Sequence, residues 1–80
     1  MRPGDVVLSL SGRDKNTLLA VTDTDNSYVY VCDGKARPLH NPKRKNPRHV
    51  SAVERRLSAA DLHSDKSLRK ALAIVKSEIM

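Results

Sequence analysis

The first half of the chain alternates apolar and other positions with the period of two that is typical of β-strands. Three strands are predicted: one in which Val6, Leu8 and Leu10 share a face, a second over 17–22 and a third over 27–32. Two segments rich in turn-forming residues separate them, Gly12–Asn16 and Asp23–Asn26. The third strand is the strongest prediction, because most of its residues are β-branched or aromatic.

The middle of the chain predicts further short strands. Asp33-Gly34 is a signal for a tight hairpin, and the segment 35–39 predicts a short strand at an edge, since Pro38 cannot donate to a β-ladder. A last short strand is predicted at His49-Val50. Four or five short strands joined by turns can curl into a small barrel, which hides the sheet edges. We therefore predict a mainly β domain over residues 1–50.

The remainder of the chain changes to a helical period. The spacing of Val53, Leu57 and Ala60 predicts a short helix within 51–63, and Asp65 is the predicted N-cap of a longer helix over 66–80. We predict that residues 51–80 form a helical C-terminal extension, packed on the barrel or extending from it.

The longer predicted helix is amphipathic. At about 100° per residue its apolar side chains form one stripe, made of Leu68, Ala71, Leu72, Val75 and Ile79. The opposite side is basic, with Lys66, Arg69, Lys70 and Lys76. The stripe predicts that the helix covers a flank of the barrel. The basic residues are interpreted as solvated, and direct contact with nucleic acid is the alternative.

Composition limits the class of protein. Eighty residues with no Phe or Trp make one small domain whose core consists of Val, Leu, Ile and Ala. The single cysteine, Cys32, excludes an internal disulfide, and no segment has the length of a membrane span. We therefore expect a cytoplasmic protein without a membrane partner.

The net charge of +6 indicates an anionic partner, and it is concentrated in the middle of the chain. Residues 1–34 carry a net charge of −2, residues 35–56 carry +7 and residues 57–80 carry +1. The stretch Lys35–Arg48 contains six Lys or Arg residues and no acidic residue. Pro42 and Pro47 bracket its KRK triplet and stiffen the backbone, which lowers the entropy lost on binding. We interpret this stretch as a phosphate-binding surface, and a merely polar, solvated loop is the alternative.

Within this stretch the two kinds of basic residue have different roles. Guanidinium groups are planar two-pronged donors and ammonium groups are point charges. The arginines are therefore the expected orienting contacts, namely Arg37, Arg44 and Arg48. The lysines are expected to supply mainly charge, namely Lys35, Lys43 and Lys45. His40 completes the candidate contacts of this stretch.

Other chemistry finds little support in the residues. One thiol and the scattered imidazoles of His40, His49 and His63 lack the paired spacing of a zinc site, and Cys32 lies in a Val-rich strand that favours a buried apolar role. The aspartates of the first half fall at turns and form no converging acid pair. We expect no enzymatic activity, no cofactor, no metal and no small-molecule substrate.

The stretches GDVVLSLSGRDKNTLLAV, DNSYVYVCDGKARPL and NPKRKNPRHV together resemble a KOW domain. In particular, residues 4–50 are similar to the small KOW proteins related to the archaeal and eukaryotic large-subunit ribosomal protein of the fourteen-e type. The resemblance implies an SH3-like barrel of about five strands that binds structured RNA, commonly ribosomal RNA. It adds Arg13 and Lys15 as phosphate contacts. Asn16 stands where the motif usually has glycine, and we interpret it as a residue that keeps a left-handed turn.

These observations predict a non-enzymatic, ribosome-associated protein that binds ribosomal RNA through phosphates, by shape rather than by sequence. Ribosomal proteins are further possible partners, and the free chain is expected to be monomeric. The alternative is a protein-interaction module that docks on a transcription or translation factor through the tail helix, and charge alone leaves DNA open as the ligand. Tyr28 and Tyr30 are candidates for stacking on unpaired bases, although packing against the barrel wall is the plainer interpretation.

Overall fold

The computed structural model describes residues 1–79, which form a five-stranded antiparallel sheet followed by one helix. The strands are β1 Asp5–Ser9, β2 Leu18–Thr24, β3 Val29–Cys32, β4 Lys43–Lys45 and β5 Val50–Arg56; a 3₁₀ turn spans Pro47–His49, and the helix α1 is Asp65–Ile79. The order in the sheet is β4-β3-β2-β1-β5. The prediction of a mainly β fold with a C-terminal helix is confirmed. The sheet is not closed, because β4 and β5 end it on either side.

Both faces of the sheet are buried. Because successive side chains of a strand point to opposite faces, Val6 belongs to one core and Val7 to the other. The first core lies under α1 and includes Ala20, Cys32 and Leu68. The second core consists mainly of valines: Val7, Leu19, Val21, Val29, Val31 and Val50. Since α1 covers only the first face, the second can be buried only if the sheet curls over it.

Two irregularities help the sheet to curl. The register of β2 with β3 shifts between Val21 and Asp23, and that of β1 with β5 shifts between Asp5 and Val7. Such bulges bend a strand and increase its twist. The second lies opposite Glu54, which adopts φ +63°, a left-handed conformation that is unfavourable for a side chain with a Cβ.

The segment that follows β3 differs from the prediction. Neither the tight hairpin at Asp33-Gly34 nor the strand 35–39 is present; a loop leads instead to β4, the KRK triplet itself, which pairs with β3. The loop is stabilised by the Asp33 side chain, whose Oδ1 accepts hydrogen bonds from the backbone N–H groups of Lys35 at 2.8 Å and Arg37 at 2.9 Å. Because these two backbone N–H groups find their acceptor within the loop, they do not require a neighbouring strand.

The short helix predicted within 51–63 is wrong. Residues 50–56 form β5, which pairs with β1 and carries the sheet beyond residue 50. Leu57 is buried and Val53 is partly buried, as the predicted helix also required. In the structure, however, Val53 packs from within β5 and Leu57 packs from the position directly after it. Apolar residues four apart also share one side of a strand, so the spacing alone could not decide between the two structures.

The C-terminal helix confirms its predicted amphipathicity. Leu68, Ala71, Leu72 and Val75 are buried, whereas Ile79 is 38% exposed and the basic side is solvated. Ser64, rather than Asp65, caps the helix, since its hydroxyl accepts the Ser67 N–H at 3.1 Å. The Asp65 carboxylate instead accepts the Leu39 N–H at 2.8 Å, which ties the 33–42 loop to α1. Met80, the last residue of the predicted helix, lies outside the described residues.

Leu68 tests whether α1 is an integral part of the fold. Its side chain is fully buried, so Leu68→Ala should lower the free energy of unfolding by about 3 kcal/mol through lost burial and a residual cavity. Ile74→Ala, on the exposed side of the same helix at 60% exposure, should change it by less than about 0.5 kcal/mol. Urea denaturation measures both. Equal effects of the two substitutions would mean that the stripe does not carry the packing.

Candidate nucleic-acid interface

The two lysines of β4 point toward the β1–β2 turn, and one of them, Lys45, is buried there. Lys45 is only 6% exposed, and its Nζ donates to Asp14 Oδ1 at 2.9 Å and to the Ser11 carbonyl at 3.1 Å. Lys43 lies on the same side of the strand, with its Nζ 3.6 Å from Asp14 Oδ2. Asp14 belongs to the turn between β1 and β2. The carboxylate of Asp14 therefore joins β4 to the β1–β2 turn, two parts of the chain that are distant in sequence.

Asp14 is held ionised by its surroundings. Burial alone would raise the pKa of its carboxyl, but the hydrogen bonds from Lys45 and from the Ser9 hydroxyl at 2.8 Å, with the charge of Lys43, hold that pKa below its ordinary value. Ser9 is itself fully buried. The charges of Lys43 and Lys45 are therefore partly neutralised inside the molecule, and Lys45 is not available to an external phosphate.

Arg44 lies on the opposite side of β4. Its guanidinium carbon is 4.5 Å from the centroid of the half-buried Tyr28 ring, a cation–π contact. Tyr30 donates its hydroxyl to Asp25 Oδ2 at 2.7 Å, which raises the pKa of Tyr30. The Ser27 N–H and this hydroxyl lower the pKa of Asp25 in turn. One face of Tyr28 and the polar end of Tyr30 are thus engaged within the protein, and base stacking by these rings stays a prediction.

Three of the predicted contacts come together at a groove beside the β1–β2 turn. Arg13, Arg37 and Lys43 line this groove, which has a volume of about 330 Å³ and includes Asp14 and Asp33 in its wall. Arg13 and Arg37 are far apart in the sequence. They meet because the β1–β2 turn and the 33–42 loop lie side by side at the same end of the sheet. We call this the barrel groove.

The left-handed turn predicted at Asn16 is confirmed, with φ +70°. Gly12 opens the same turn at φ +86°, and the Lys15 N–H donates to the Gly12 carbonyl at 3.2 Å. This geometry places Arg13 at the groove and leaves Lys15 exposed beside it. The left-handed conformation of Asn16 therefore helps to orient the basic residues of this turn.

A second groove, of about 240 Å³, adjoins the first and shares Thr17 and Asp33 with it. Lys35 enters it from the 33–42 loop, and Arg69 and Lys76 enter it from α1. We call this the helix groove. The remaining predicted contacts line neither groove: Lys15, His40, Arg44, Lys45 and Arg48. Of these, His40 is exposed in the turn before β4, and Arg48 is exposed in the 3₁₀ turn.

Apart from Lys43, the cations of the two grooves make no ion pair within residues 1–79. Within residues 1–79, the ion pairs of Lys and Arg side chains join Lys43 and Lys45 to Asp14, and Arg56 to Asp5 at 3.0 Å. The other five groove cations make none: Arg13, Lys35, Arg37, Arg69 and Lys76. Unpaired guanidinium and ammonium groups that converge on one concave surface are suited to bind phosphate oxygens.

Residues 1–79 show no arrangement that suits a metal site or a reactive thiol. No group of three or more His, Cys, Asp or Glu side chains there could hold a metal ion. The Cys32 thiol is buried and donates to the Pro38 carbonyl at 3.4 Å, and burial raises its pKa, which disfavours the reactive thiolate. The helix in this part of the chain is too short and too polar to cross a bilayer.

No protein-family model matches the chain, and no curated protein is significantly similar to it. The resemblance to KOW proteins therefore rests on the residues that suggested it and stays a prediction.

Sequence reasoning missed the partner of the KRK triplet and half of the helix groove. Asp14 is 31 positions from Lys45, and nothing in the local pattern links them. Arg69 and Lys76 were recognised as a basic helix face, but the interpretation as solvated residues overlooked that this face lies beside Lys35. The amphipathic pattern indicates which side of a helix is polar, and only the packing of α1 on the sheet shows what that side adjoins.

The pH dependence of stability should report the Asp14 cluster. The pKa of Asp14 is lower in the folded chain than in the unfolded chain, where it is about 3.9. The contribution of Asp14 to stability is therefore fully present above about pH 5, and it is lost as the pH falls through the pKa of the folded chain. Asp14→Asn should reduce stability at pH 7 by about 3 kcal/mol, since it leaves the buried Lys45 charge unpaired. The variant should also lose part of the decline toward acid pH.

Asp23→Asn is the matched control, because Asp23 is exposed and forms no ion pair with Lys or Arg within residues 1–79. It should keep the wild-type stability at pH 7 and the wild-type acid profile, including the contribution of Asp25. Urea titrations at several pH values measure the three proteins. If Asp14→Asn behaved like the control, the buried ion pair would not be holding β4.

Proposed function

We propose that this protein is a non-enzymatic RNA-binding protein that holds structured RNA, and specifically ribosomal RNA, through its sugar-phosphate backbone in the cytoplasm. The observation that carries the proposal is the barrel groove, where Arg13 and Arg37 converge without an ion pair of their own. The resemblance of residues 4–50 to KOW proteins supports RNA as the polyanion and the ribosome as its setting.

The chemistry of the groove favours phosphate over other anions. Two guanidinium groups present planar forks of N–H donors that match the oxygens of a phosphodiester, and Lys43 adds a point charge. Such contacts fix the position of a nucleic acid without reading its bases. A-form RNA displays phosphates and 2′-hydroxyls along its shallow groove, so a small rigid basic surface can recognise its shape.

The proposal changes the role of the KRK triplet. Because Lys45 is buried against Asp14, it supports the groove rather than contacting the ligand, and Lys43 is shared between Asp14 and the groove. Replacing the whole triplet would therefore disturb the fold together with any binding. The informative substitutions are in the exposed turn and loop.

A protein-interaction module is the second candidate. Ile74, on the outer side of α1, is 60% exposed, and Ile79, at the end of its apolar stripe, is 38% exposed, so the helix has some apolar surface to offer a translation or transcription factor. Two isolated isoleucines amid exposed lysines are a smaller feature than the grooves, and we favour RNA for that reason.

Arg37→Gln should weaken binding to a fluorescein-labelled RNA hairpin about tenfold at low salt, because it removes a charge-assisted contact to phosphate. The slope of log affinity against log salt should become shallower by about 0.7–0.9 for the lost phosphate contact. Arg55→Gln makes the same change of charge at an exposed position of β5, outside both grooves. Fluorescence anisotropy at several salt concentrations compares the two. Equal losses would show that only net charge matters.

Ribosome association can be tested in a cell lysate. On a sucrose gradient the protein should sediment with ribosomal particles, remain there at moderate salt and return to the light fractions after nuclease treatment. Arg13→Gln combined with Arg37→Gln should move it to the light fractions without nuclease. Association that resists nuclease and follows one partner protein would instead support the interaction module.

A further inference from the structure

The helix groove is a second concave surface to which three cations contribute from two separate elements. Lys35 belongs to the 33–42 loop, whereas Arg69 and Lys76 are seven residues apart on α1 and therefore share one side of the helix, two turns from each other. The groove continues into the barrel groove across Thr17 and Asp33, which line both. A ligand chain that lies in one groove can therefore pass directly into the other.

The cations of the helix groove are positioned by the fold. The Arg69 guanidinium donates to the Gly34 carbonyl at 2.6 Å, which joins α1 to the loop that carries Lys35. Gly34 adopts φ +79°, and a Cβ built there would lie 2.5 Å from the Asp65 carbonyl oxygen. Only glycine allows so close an approach of loop and helix. The two sides of the groove are thus held at a fixed separation, which reduces the entropy lost when a ligand binds.

The floor of the helix groove is apolar. Leu18 and Leu72, both 7% exposed, line it together with Ala73. A bare inorganic anion gains nothing from such a floor, whereas the ribose of a nucleotide chain presents carbon atoms to it while its phosphates meet the rim. The combination of a basic rim and an apolar floor fits a sugar-phosphate backbone.

The charge balance favours an anion in spite of one carboxylate. Asp33 lies in the wall, but its Oδ1 is occupied by the N–H groups of Lys35 and Arg37, and it forms no ion pair with Lys or Arg within residues 1–79. Three unpaired cations therefore face one carboxylate that is fixed by its own backbone bonds. The net field at the groove is positive.

From these observations we propose that α1 completes the RNA-binding surface: the helix groove holds a backbone phosphate next to the one in the barrel groove, and the RNA strand crosses from the β1–β2 turn onto the helix. This inference rests on the proposed function and extends it to the C-terminal segment, whose lysines would otherwise be plain solvated residues.

Lys76→Gln tests the inference against Lys70→Gln on the same helix. Both lysines are exposed and both substitutions remove one charge from α1 at little cost in helix propensity, but only Lys76 lines the groove. With the labelled RNA hairpin, Lys76→Gln should weaken binding several-fold and make the salt slope shallower by about 0.7–0.9. Lys70→Gln should keep the wild-type slope. Lys35→Gln, on the opposite wall, should act like Lys76→Gln.

The outcomes separate this inference from the proposed function. If wild-type protein binds the hairpin and Arg37→Gln weakens it, but Lys76→Gln and Lys70→Gln are equal, the helix groove is not part of the interface. If wild-type protein does not bind the hairpin, both proposals fall. Poly-glutamate that competes as effectively as RNA at equal charge would overturn the inference in favour of an acidic protein partner.

Discussion

The buried ion pair between Lys45 and Asp14 is the constraint on which the arrangement of the basic residues depends. An ammonium group that is 6% exposed destabilises the fold by several kcal/mol unless a partner compensates it. Asp14 is the compensating partner, so β4 and the β1–β2 turn must lie together. The pair also selects the register of β4. A slip by one residue would turn Arg44 inward and Lys43 and Lys45 outward, which would break the hydrogen bond from Lys45 to Asp14.

This constraint divides a uniform stretch of sequence into residues with different tasks. Lys45 supports the fold, Arg44 packs on Tyr28 at the outer side of the strand, and Lys43 lies between the carboxylate and the groove. The groove cations that make no ion pair within residues 1–79 come from three separate parts of the chain: the β1–β2 turn, the 33–42 loop and α1. The concentration of charge along the sequence is therefore a poor guide to its concentration on the surface.

The periodic patterns of apolar residues correctly predicted the elements whose burial gives rise to such patterns. The first three strands and the apolar stripe of α1 follow from burial of every second residue or of one helical face, and both are present. β4 was missed because its three charged residues show no apolar alternation, and its place is set by Asp14 far away in the sequence. β5 was mistaken for a helix because Val53 and Leu57 are four residues apart, a spacing that both structures accept. The clustering of basic residues along the sequence identified Lys35 and Arg37 as candidates. Arg69 and Lys76 come close to them only because α1 packs on the sheet.

The acidic residues explain how the grooves remain basic although residues 1–34 carry a net negative charge. An aspartate whose oxygens are engaged by neighbouring groups cannot swing to neutralise a distant arginine. Asp25 accepts backbone N–H groups within its own turn, Asp5 pairs with Arg56 and Asp14 pairs with Lys45. Asp33 lies within the groove walls and weakens the field there, but it also orders the loop that presents Lys35 and Arg37. One fixed carboxylate thus reduces the attraction for an anion and at the same time holds the cations in place. Because Lys35, Arg69 and Lys76 all line the helix groove, the balance there remains positive.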